Sequence, residues 1–263
     1  MIKQKVKEIL LDSQIKESAI CEFSFVANNL IDCRAKARLP KNAKSIIMAA
    51  FPYKVKDEKP LNISRYAAVK DYHIVCKNML ETAKENLKIA FPNNAFEVFL
   101  DNSPIPEVAA ANHCGLGMLG KNGLIINETY GSFVFLGEIV TDLELDADKG
   151  GEKCLDCGRC ISFCPINMCK EQCLSSVNQQ KKALNDTQIE QIRSSGCVWG
   201  CDICSDVCPH NENAQNTYIA EFINSYRNSY VVGEDVSERA YTWRGEAVIN
   251  RNAKIVNNKK YRG

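Results

Sequence analysis

The sequence predicts an α+β fold in which an N-terminal α/β domain precedes a smaller cysteine-rich domain. Two observations lead to this prediction. Helix-like apolar spacings alternate with short β-rich runs over the first part of the chain, as in a sheet covered by helices. Most of the 14 cysteines fall later in the chain. We therefore expect domains at 1–145 and 146–212, followed by a partly irregular C-terminal extension at 213–263 that packs on them.

The N-terminal domain is expected to contain three helices and five strands. The predicted helices span 2–12, 64–91 and 104–113, and the predicted strands span 19–25, 45–51, 96–100, 124–127 and 132–141. Ser64 is a suitable N-cap for the long helix, and Pro92 closes it. The last two strands are expected to pair with each other.

The C-terminal half offers fewer helix signals. Asp142–Gly151 is acidic and contains glycine, which is typical of a linker. Helices are expected at 184–193, inside the cysteine-rich domain, and near 218–226. The rest of the tail is polar and is expected to be irregular, with 257–263 as a loose end.

The cysteine-rich domain carries two motifs with the spacing of bacterial ferredoxins. Residues 154–165 follow C-x2-C-x2-C-x3-C-P, and residues 201–209 follow C-x2-C-x3-C-P. Three closely spaced thiolates wrap one face of a cubane, and the fourth cysteine ligates the other cluster. The proline stops the helix that would otherwise continue. The sequence thus predicts two [4Fe–4S] clusters. The alternative is a zinc ribbon, which needs only two separated C-x2-C pairs.

Two cubanes need eight thiolates, and the two motifs supply seven. Under the crossover rule, the first cluster is held by Cys154, Cys157, Cys160 and Cys208. The second cluster then takes Cys164, Cys201 and Cys204. The eighth thiolate has to come from Cys169, Cys173 or Cys197, and spacing leaves this choice open.

Composition limits the classes of partner. The formal net charge of +1 supplies no global basic field that would draw the chain to nucleic acid or a membrane. No apolar run reaches transmembrane length, and the first ten residues resemble an amphipathic helix rather than a signal peptide. Because the cysteine motifs need reduced thiols, we expect a cytoplasmic protein without a membrane partner.

Asp101 is the first candidate for a reacting group outside the cysteines. It follows an apolar strand, and strand ends are where reacting groups tend to lie in α/β folds. Flanking Phe99 and Leu100 are expected to desolvate the carboxyl and raise its pKa, which suits a proton donor. The alternative is an N-cap or Asx turn before the helix that begins at Pro104.

Two further segments are candidates for binding or catalysis. Gly115–Gly123 is rich in glycine and suits a close backbone approach to a large ligand, but Lys121 is followed by asparagine, so it is not a P-loop. His73 is a candidate acid, base or cofactor ligand, with a surface histidine as the alternative. The corrinoid signature D-x-H-x-x-G is half met, because Cys76 replaces its glycine, and His73 is therefore not expected to ligate cobalt. The isolated cysteines are expected to be small buried residues: Cys21, Cys33, Cys76 and Cys114.

Several segments together resemble the epoxyqueuosine reductase family, cobalamin-dependent iron–sulfur enzymes related to reductive dehalogenases. They occur in matching order over roughly residues 40–210. The segments are Ser64-Arg-Tyr-Ala, Asp71-Tyr-His73, Asp101-Asn-Ser-Pro, Gly115–Asn122, Gly131–Leu143, the two cysteine motifs and Trp199-Gly-Cys-Asp202. The chain is similar to a short form of the family that lacks the C-terminal helical-repeat domain.

The resemblance implies a nitroreductase-like, corrinoid-binding α/β domain followed by a ferredoxin-like double-cluster domain. It implies that Cys173 completes the second cluster and that Asp101 is the general acid. Cobalamin would bind base-off, with no protein ligand to cobalt. The implied cobalamin contacts are Ser64, Asp101, Asn122, Gly123, Ile125, Ser175 and Asp202. Tyr72 and His73 would face the substrate.

The reaction that the resemblance implies is the reduction of epoxyqueuosine to queuosine in tRNA. Electrons would come from a low-potential donor of the ferredoxin or flavodoxin type. They would pass through both clusters to cobalamin. The enzyme is expected to be a monomer. Two alternatives stay open. One is a corrinoid reductase of another epoxide or of an organohalide. The other is an iron–sulfur electron-transfer protein without catalytic activity.

Overall fold

The computed structural model describes residues 1–56, 62–150, 153–168 and 170–257, and the chain divides into two units. The first unit consists of Met1–Pro52 and Tyr72–Asp156, and the second consists of Tyr53–Asp71 and Cys157–Gly263. A short segment from the N-terminal half therefore belongs to the second unit. Local sequence patterns do not predict this exchange, because it depends on contacts between residues far apart in the chain.

A four-stranded antiparallel sheet forms the centre of the first unit. Its strands are β1 (Glu17–Glu22), β2 (Ser45–Pro52), β3 (Phe96–Phe99) and β6 (Val134–Thr141), with a separate hairpin of β4 (Met118–Leu119) and β5 (Ile125–Ile126). The strand order in the sheet is β1-β2-β6-β3. Every residue of β2 is buried, which agrees with its unbroken apolar sequence, since a strand covered on both faces shows no alternation.

Four helices complete the first unit. They are α1 (Ile2–Asp12), α2 (Phe23–Val26), α3 (Tyr72–Ala90) and α4 (Glu107–His113). In α1, Val6, Ile9 and Leu10 are buried at the i, i+3, i+4 spacing of an amphipathic helix. Helix α3 packs against β3 and β6, and α4 packs against β1 and β6. The loop after β3 and the first turn of α3 are thereby held at the sheet, and they carry candidate residues named from the sequence.

The second unit contains short helices around the cysteine motifs and one longer helix near the C-terminus. The helices are α5 (Arg159–Ser162), α6 (Leu174–Asn178), α7 (Asp186–Ser195), α8 (Ile203–Asp206), α9 (Ala220–Ser225) and α10 (Glu246–Asn257). Helix α7 begins with a capping box between Asn185 and Gln188 and ends at left-handed Gly196. Helix α10 packs against α6 and α7.

The mixed α/β class is confirmed, but the long helix predicted at 64–91 is wrong in its first turns. Helix α3 begins at Tyr72, and Ser64 instead precedes a single 3₁₀ turn at Arg65–Ala67. The backbone N–H of Ser64 donates to Trp199, and that of Asp71 donates to Glu238. These hydrogen bonds to distant residues of the second unit override the local helical pattern.

Three other predicted elements differ from the structure. Strand β5 pairs with β4, and β6 pairs with β2 and β3, so the predicted pairing of these two strands with each other is wrong. The predicted strand 19–25 ends early, because Phe23–Val26 turns into α2. The tail is not irregular throughout: α10 forms because Val248, Ile249 and Ala253 bury one face of it.

Two parts of the sequence predictions fall outside the described residues. They are the last six residues of the predicted loose end and Cys169. None of the helices described in the structure is long and apolar enough to cross a membrane.

Candidate functional site

Asp101, His73 and Tyr72 lie together in the first unit. Asp101 follows β3 in the left-handed region of backbone space, with φ +60°. Its carboxylate Oδ2 is 3.3 Å from Nε2 of His73, which lies in the first turn of α3. The Tyr72 hydroxyl also donates to Asp101, and the Tyr72 ring stacks on Phe135 at 4.3 Å. Three residues named from the sequence thus form one cluster of polar groups.

The prediction that the pKa of Asp101 lies above its ordinary value is wrong, although burial by itself does act to raise it. The hydrogen bond from His73 lowers this pKa, and the charge of His73 and the Tyr72 hydroxyl act in the same direction against a smaller effect of burial. Phe99 is buried in the core, whereas the Asp101 side chain is 61% exposed. Asp101 is not the cap of α4 either, since Pro106 holds that position.

The glycine-rich segment forms the β4–β5 hairpin. A Cβ atom on Gly117 would lie 2.6 Å from Ile125, and one on Gly120 would lie 2.5 Å from Oδ1 of Asn122, so internal packing accounts for both glycines. Gly123 differs, because it has φ +78° and a Cβ atom there would meet nothing within 4 Å. The hairpin therefore presents Gly123 on an open face, while Ile125 is buried in the core.

Ser64, Asp202 and Ser175 lie in the second unit. Oδ2 of Asp202 accepts from the backbone N–H of Arg65 at 2.7 Å and from its guanidinium at 3.3 Å. Asp206 accepts from the same guanidinium at 2.5 Å. Arg65 and Asp202 are both less than one fifth exposed, so this ion pair holds the Ser64–Arg65 segment beside the second cysteine motif.

The surroundings of Ser64 contain buried polar atoms without hydrogen bonds. Ser64 Oγ and Trp199 Nε1 make no hydrogen bond of normal geometry, although the Tyr66 hydroxyl lies near both. Nε2 of Gln179 donates to the Tyr66 hydroxyl at 3.2 Å and to Ser175 Oγ at 2.9 Å. Buried donors and acceptors are normally paired, so the orphaned atoms suit a polar ligand at this place.

Three of the four cysteines predicted for the second cluster are neighbours. Burial raises the pKa of the Cys201 thiol to about 11, and the charges of Cys173, Cys204 and Asp202 add to this effect. The backbone N–H of Ile203 faces the Cys201 sulfur and acts in the opposite direction. Cys164 follows α5, which packs against α8. Among the described residues, no three His, Cys, Asp or Glu side chains converge tightly enough to hold a single metal ion.

The backbone around the cysteines turns sharply at left-handed residues. Asp156 and Gly158 have φ +54° and +72°, and Gly200, just before Cys201, has φ +73°. A Cβ atom on Gly200 would overlap Ser64 Oγ, so only glycine fits there. Left-handed turns expose consecutive N–H groups in concave nests, which occur at many iron–sulfur sites.

The four cysteines predicted for the first cluster are divided between the units. Cys157, Cys160 and Cys208 belong to the second unit, and Cys154 belongs to the first.

Sequence reasoning missed two groups of residues. Tyr53 and Tyr66 are buried near Asp202, and burial raises the pKa of both. Glu138 is buried and Glu107 is half-buried beside the Asp101 loop. A signal for Glu138 existed, because it is the one charged residue within the apolar run of β6.

The four isolated cysteines differ in their exposure. Cys21, Cys76 and Cys114 are buried, as expected, whereas Cys33 is partly exposed.

An antiparallel α/β unit joined to a cysteine-rich helical unit defines the class of this protein. The family profile described as "Epoxyqueuosine reductase QueG, DUF1730" matches residues 34–102. The epoxyqueuosine reductase of Lactococcus garvieae is 31% identical over 231 residues, 81% of this chain and 65% of the relative. That of Synechocystis sp. is 35% identical over 197 residues, 69% of this chain and 68% of the relative. The chain belongs to the epoxyqueuosine reductase family.

Solved structures show the same fold. The epoxyqueuosine reductase of Streptococcus thermophilus matches with a TM-score of 0.79 and 23% identity over 97% of this chain and 80% of that chain. An epoxyqueuosine reductase crystallised with an epoxyqueuosine-modified tRNA-Tyr stem loop matches with a TM-score of 0.82 and 22% identity, at the same coverage. The chain spans about two thirds of the length of the curated relatives named above.

Proposed function

We propose that this protein is a cobalamin- and iron–sulfur-dependent reductase that converts epoxyqueuosine in tRNA to queuosine. Membership of the family supports the reaction, and the fold shared with a reductase crystallised on a modified tRNA stem loop supports the substrate. The observation that carries the proposal is the cluster of Asp101, His73 and Tyr72, with Asp101 held in a left-handed conformation. Strained backbone at a polar cluster is typical of functional sites.

The proposed cobalamin contacts are those that the resemblance implies. They are Asp101, Asn122, Gly123 and Ile125 in the first unit, and Ser64, Ser175 and Asp202 in the second. The orphaned Ser64 Oγ and the open face at Gly123 support this assignment. When bound, cobalamin supplies a strongly reducing and nucleophilic cobalt centre. The base-off state without a protein ligand to cobalt is proposed from the family resemblance, and the contact between Nε2 of His73 and Asp101 assigns His73 to the acid–base cluster.

The second unit is proposed to be a ferredoxin-like unit, and the first a nitroreductase-like one. Cys154, Cys157, Cys160 and Cys208 would hold one [4Fe–4S] cluster. Cys164, Cys173, Cys201 and Cys204 would hold the other, and the closeness of Cys173 to Cys201 and Cys204 supports this set. A donor of the ferredoxin or flavodoxin type would supply low-potential electrons to a monomeric enzyme.

Asp101 is proposed to deliver the proton that the departing epoxide oxygen requires. Because the pKa of Asp101 lies below its ordinary value, we place the proton of the resting pair on Nε2 of His73. This proton crosses the 3.3 Å contact to Oδ2 of Asp101, and Asp101 passes it on to the substrate oxygen, which leaves His73 neutral and Asp101 ionised. Tyr72 orients the Asp101 carboxylate through its hydroxyl.

Asp101→Asn is the first test. An amide of the same size cannot donate an acidic proton, so we expect turnover to fall by about a hundredfold to ten-thousandfold. Nucleosides from epoxyqueuosine-containing tRNA would be quantified by mass spectrometry, with iron content and corrin absorbance unchanged. Exposed Glu128→Gln is the matched control and should keep full activity. Full activity in Asp101→Asn would remove Asp101 from the mechanism.

The alternatives predict other outcomes in the same preparation. An electron-transfer protein would bind iron but no cobalt after anaerobic purification with cobalamin. A reductase of another epoxide or an organohalide would bind both and leave the tRNA unchanged.

A further inference from the structure

A buried carboxyl stands at the centre of the sheet behind the Asp101 loop. Glu138 is fully buried in β6, between Met48 of β2 and Phe99 of β3 in register. Its Oε1 accepts a hydrogen bond from the Ser103 hydroxyl, whereas its Oε2 faces no donor. A lone ionised carboxylate in such surroundings is strongly unfavourable, and a buried acid therefore tends to keep its proton.

The second acid of the site is Glu107, in the first turn of α4. Its carboxyl faces the Glu138 carboxyl and the backbone N–H of Asp101, and its Oε1 also lacks a donor. Two acceptor-only oxygens that face each other are both satisfied by a single hydrogen between them. Burial raises the pKa of Glu107 to about 7, and burial followed by the charge of Glu107 raises that of Glu138 further.

Both acids hold the loop that carries Asp101. Ser103 Oγ donates to Glu138 and accepts from the backbone N–H of Ile105 at 3.0 Å, while Glu107 faces the backbone of Asp101. The two acids thus hold the loop at Asp101 and at Ser103. Asp101 is not glycine, so its left-handed φ of +60° persists only where the surroundings enforce it.

We propose that Glu107 and Glu138 share one proton and, in this protonated state, position the Asp101 loop so that Asp101 stays in contact with His73. The inference rests on the proposed role of Asp101. Glu107 and Glu138 are positioning residues and do not touch the substrate. The charged or titratable groups that face the pair are Asp101 on the loop and, beyond it, His73 on α3. Loss of the shared proton to solvent leaves two facing carboxylates, whose repulsion releases the loop.

Glu138→Gln and Ser103→Ala test the two parts of the proposal. The glutamine amide donates to Glu107 and its oxygen accepts from Ser103, so Glu138→Gln mimics the protonated pair and cannot lose a proton. We expect it to keep kcat near neutral pH and to retain activity at alkaline pH where the native enzyme loses it. Ser103→Ala cuts the link to the loop, and its kcat should fall about tenfold to a hundredfold with KM nearly unchanged.

An infrared measurement tests the shared proton independently of turnover. The native holoprotein should show the carbonyl stretch of a protonated carboxyl near neutral pH, and both Glu138→Gln and half-buried Glu107→Gln should lack it. Exposed Glu144→Gln is the control, because Glu144 pairs with Lys44. The proposal is overturned if the native protein lacks this band. It is also overturned if the activity of Glu138→Gln falls at alkaline pH just as that of the native enzyme does. If the protein does not act on tRNA, the infrared band still shows whether Glu107 and Glu138 hold a proton. Failure of the proposed function can therefore be distinguished from failure of this inference.

Discussion

At the scale of single residues, the surroundings of each carboxyl decide what it can do. Asp101 and Glu107 are six residues apart, yet the pKa of Asp101 is lowered and that of Glu107 is raised to about 7. The difference arises because Asp101 is exposed beside a histidine, whereas Glu107 is half-buried and faces a second acid. Pairs of titratable groups with opposite shifts are a common mark of acid–base sites.

The raised pKa of Glu107 has a consequence for stability. The folded protein keeps a proton that the unfolded chain releases between the ordinary pKa of 4.5 and about 7. This contribution is fully present below the ordinary pKa and is lost as the pH rises through about 7. A shift of this size corresponds to roughly 3 kcal/mol. We expect the melting temperature to fall as the pH rises from about 4.5 to about 7, and to level off above that.

Glu107→Gln should flatten this dependence, because the amide does not titrate. Exposed Glu128→Gln is the matched control and should follow the native curve. Melting of the anaerobic holoprotein, followed by circular dichroism across this range, makes the comparison. A native curve as flat as that of Glu107→Gln would contradict the raised pKa.

At the scale of elements, helix α10 supports the second cysteine motif through two buried asparagines. Nδ2 of Asn252 donates to the carbonyls of Asn178 at 2.6 Å and Val198 at 2.9 Å. Asn178, at the end of α6, in turn donates to and accepts from Gly200. Both asparagines are fully buried. The sequence predicted an irregular tail in this region. The helix that forms there instead holds the backbone directly before Cys201.

Asn252→Ala leaves two buried carbonyls without a donor. We expect a loss of roughly 1–3 kcal/mol in unfolding free energy, together with faster release of iron. Asn257→Ala, at the exposed end of the same helix, is the control. Chemical denaturation and the rate of iron loss to a chelator measure the two effects. An Asn252→Ala protein with native stability and native iron retention would show that α10 has no part in supporting the motif.

At the scale of the whole molecule, the proposed ligand sets draw on residues spread across both cysteine motifs and the segment between them. Cys173 lies beside Cys201 and Cys204. The thiol of Cys197 has different surroundings. Its one hydrogen is shared between the carbonyls of Trp199 and Gly200, each 3.3 Å from the sulfur, and the side chain packs against the core of α6 and α7. These contacts support our proposal that Cys173 rather than Cys197 is the eighth ligand, the choice that spacing left open.

Cys173→Ser and Cys197→Ser separate these roles. We expect Cys173→Ser to lose roughly half of the bound iron, because one of two clusters loses a ligand. Cys197→Ser should keep its iron. Iron and sulfide analysis with electron paramagnetic resonance of the reduced protein distinguishes the variants. The reverse pattern would assign the eighth ligand to Cys197.

Much of the fold and part of the candidate site follow from local sequence. Apolar spacing predicts helix α1 and strand β2 to within one residue, because it reports burial over a few neighbours. The same spacing starts the long helix too early, because residues 53–71 belong to the second unit and are bonded to it. Local patterns miss the β4–β5 hairpin, because its strands are only two residues long and the glycines between them also suit a ligand site.

The sequence by itself determined the spacing of the cysteines, the mixed α/β class and the segments that place the chain in its family. Only the tertiary structure decided the ionisation of Asp101, the pairing of Glu107 with Glu138 and the closeness of Cys173 to Cys201. The reason is physical. Spacing encodes contacts within a few turns of chain, whereas desolvation and charge pairing depend on which distant segments the fold brings together.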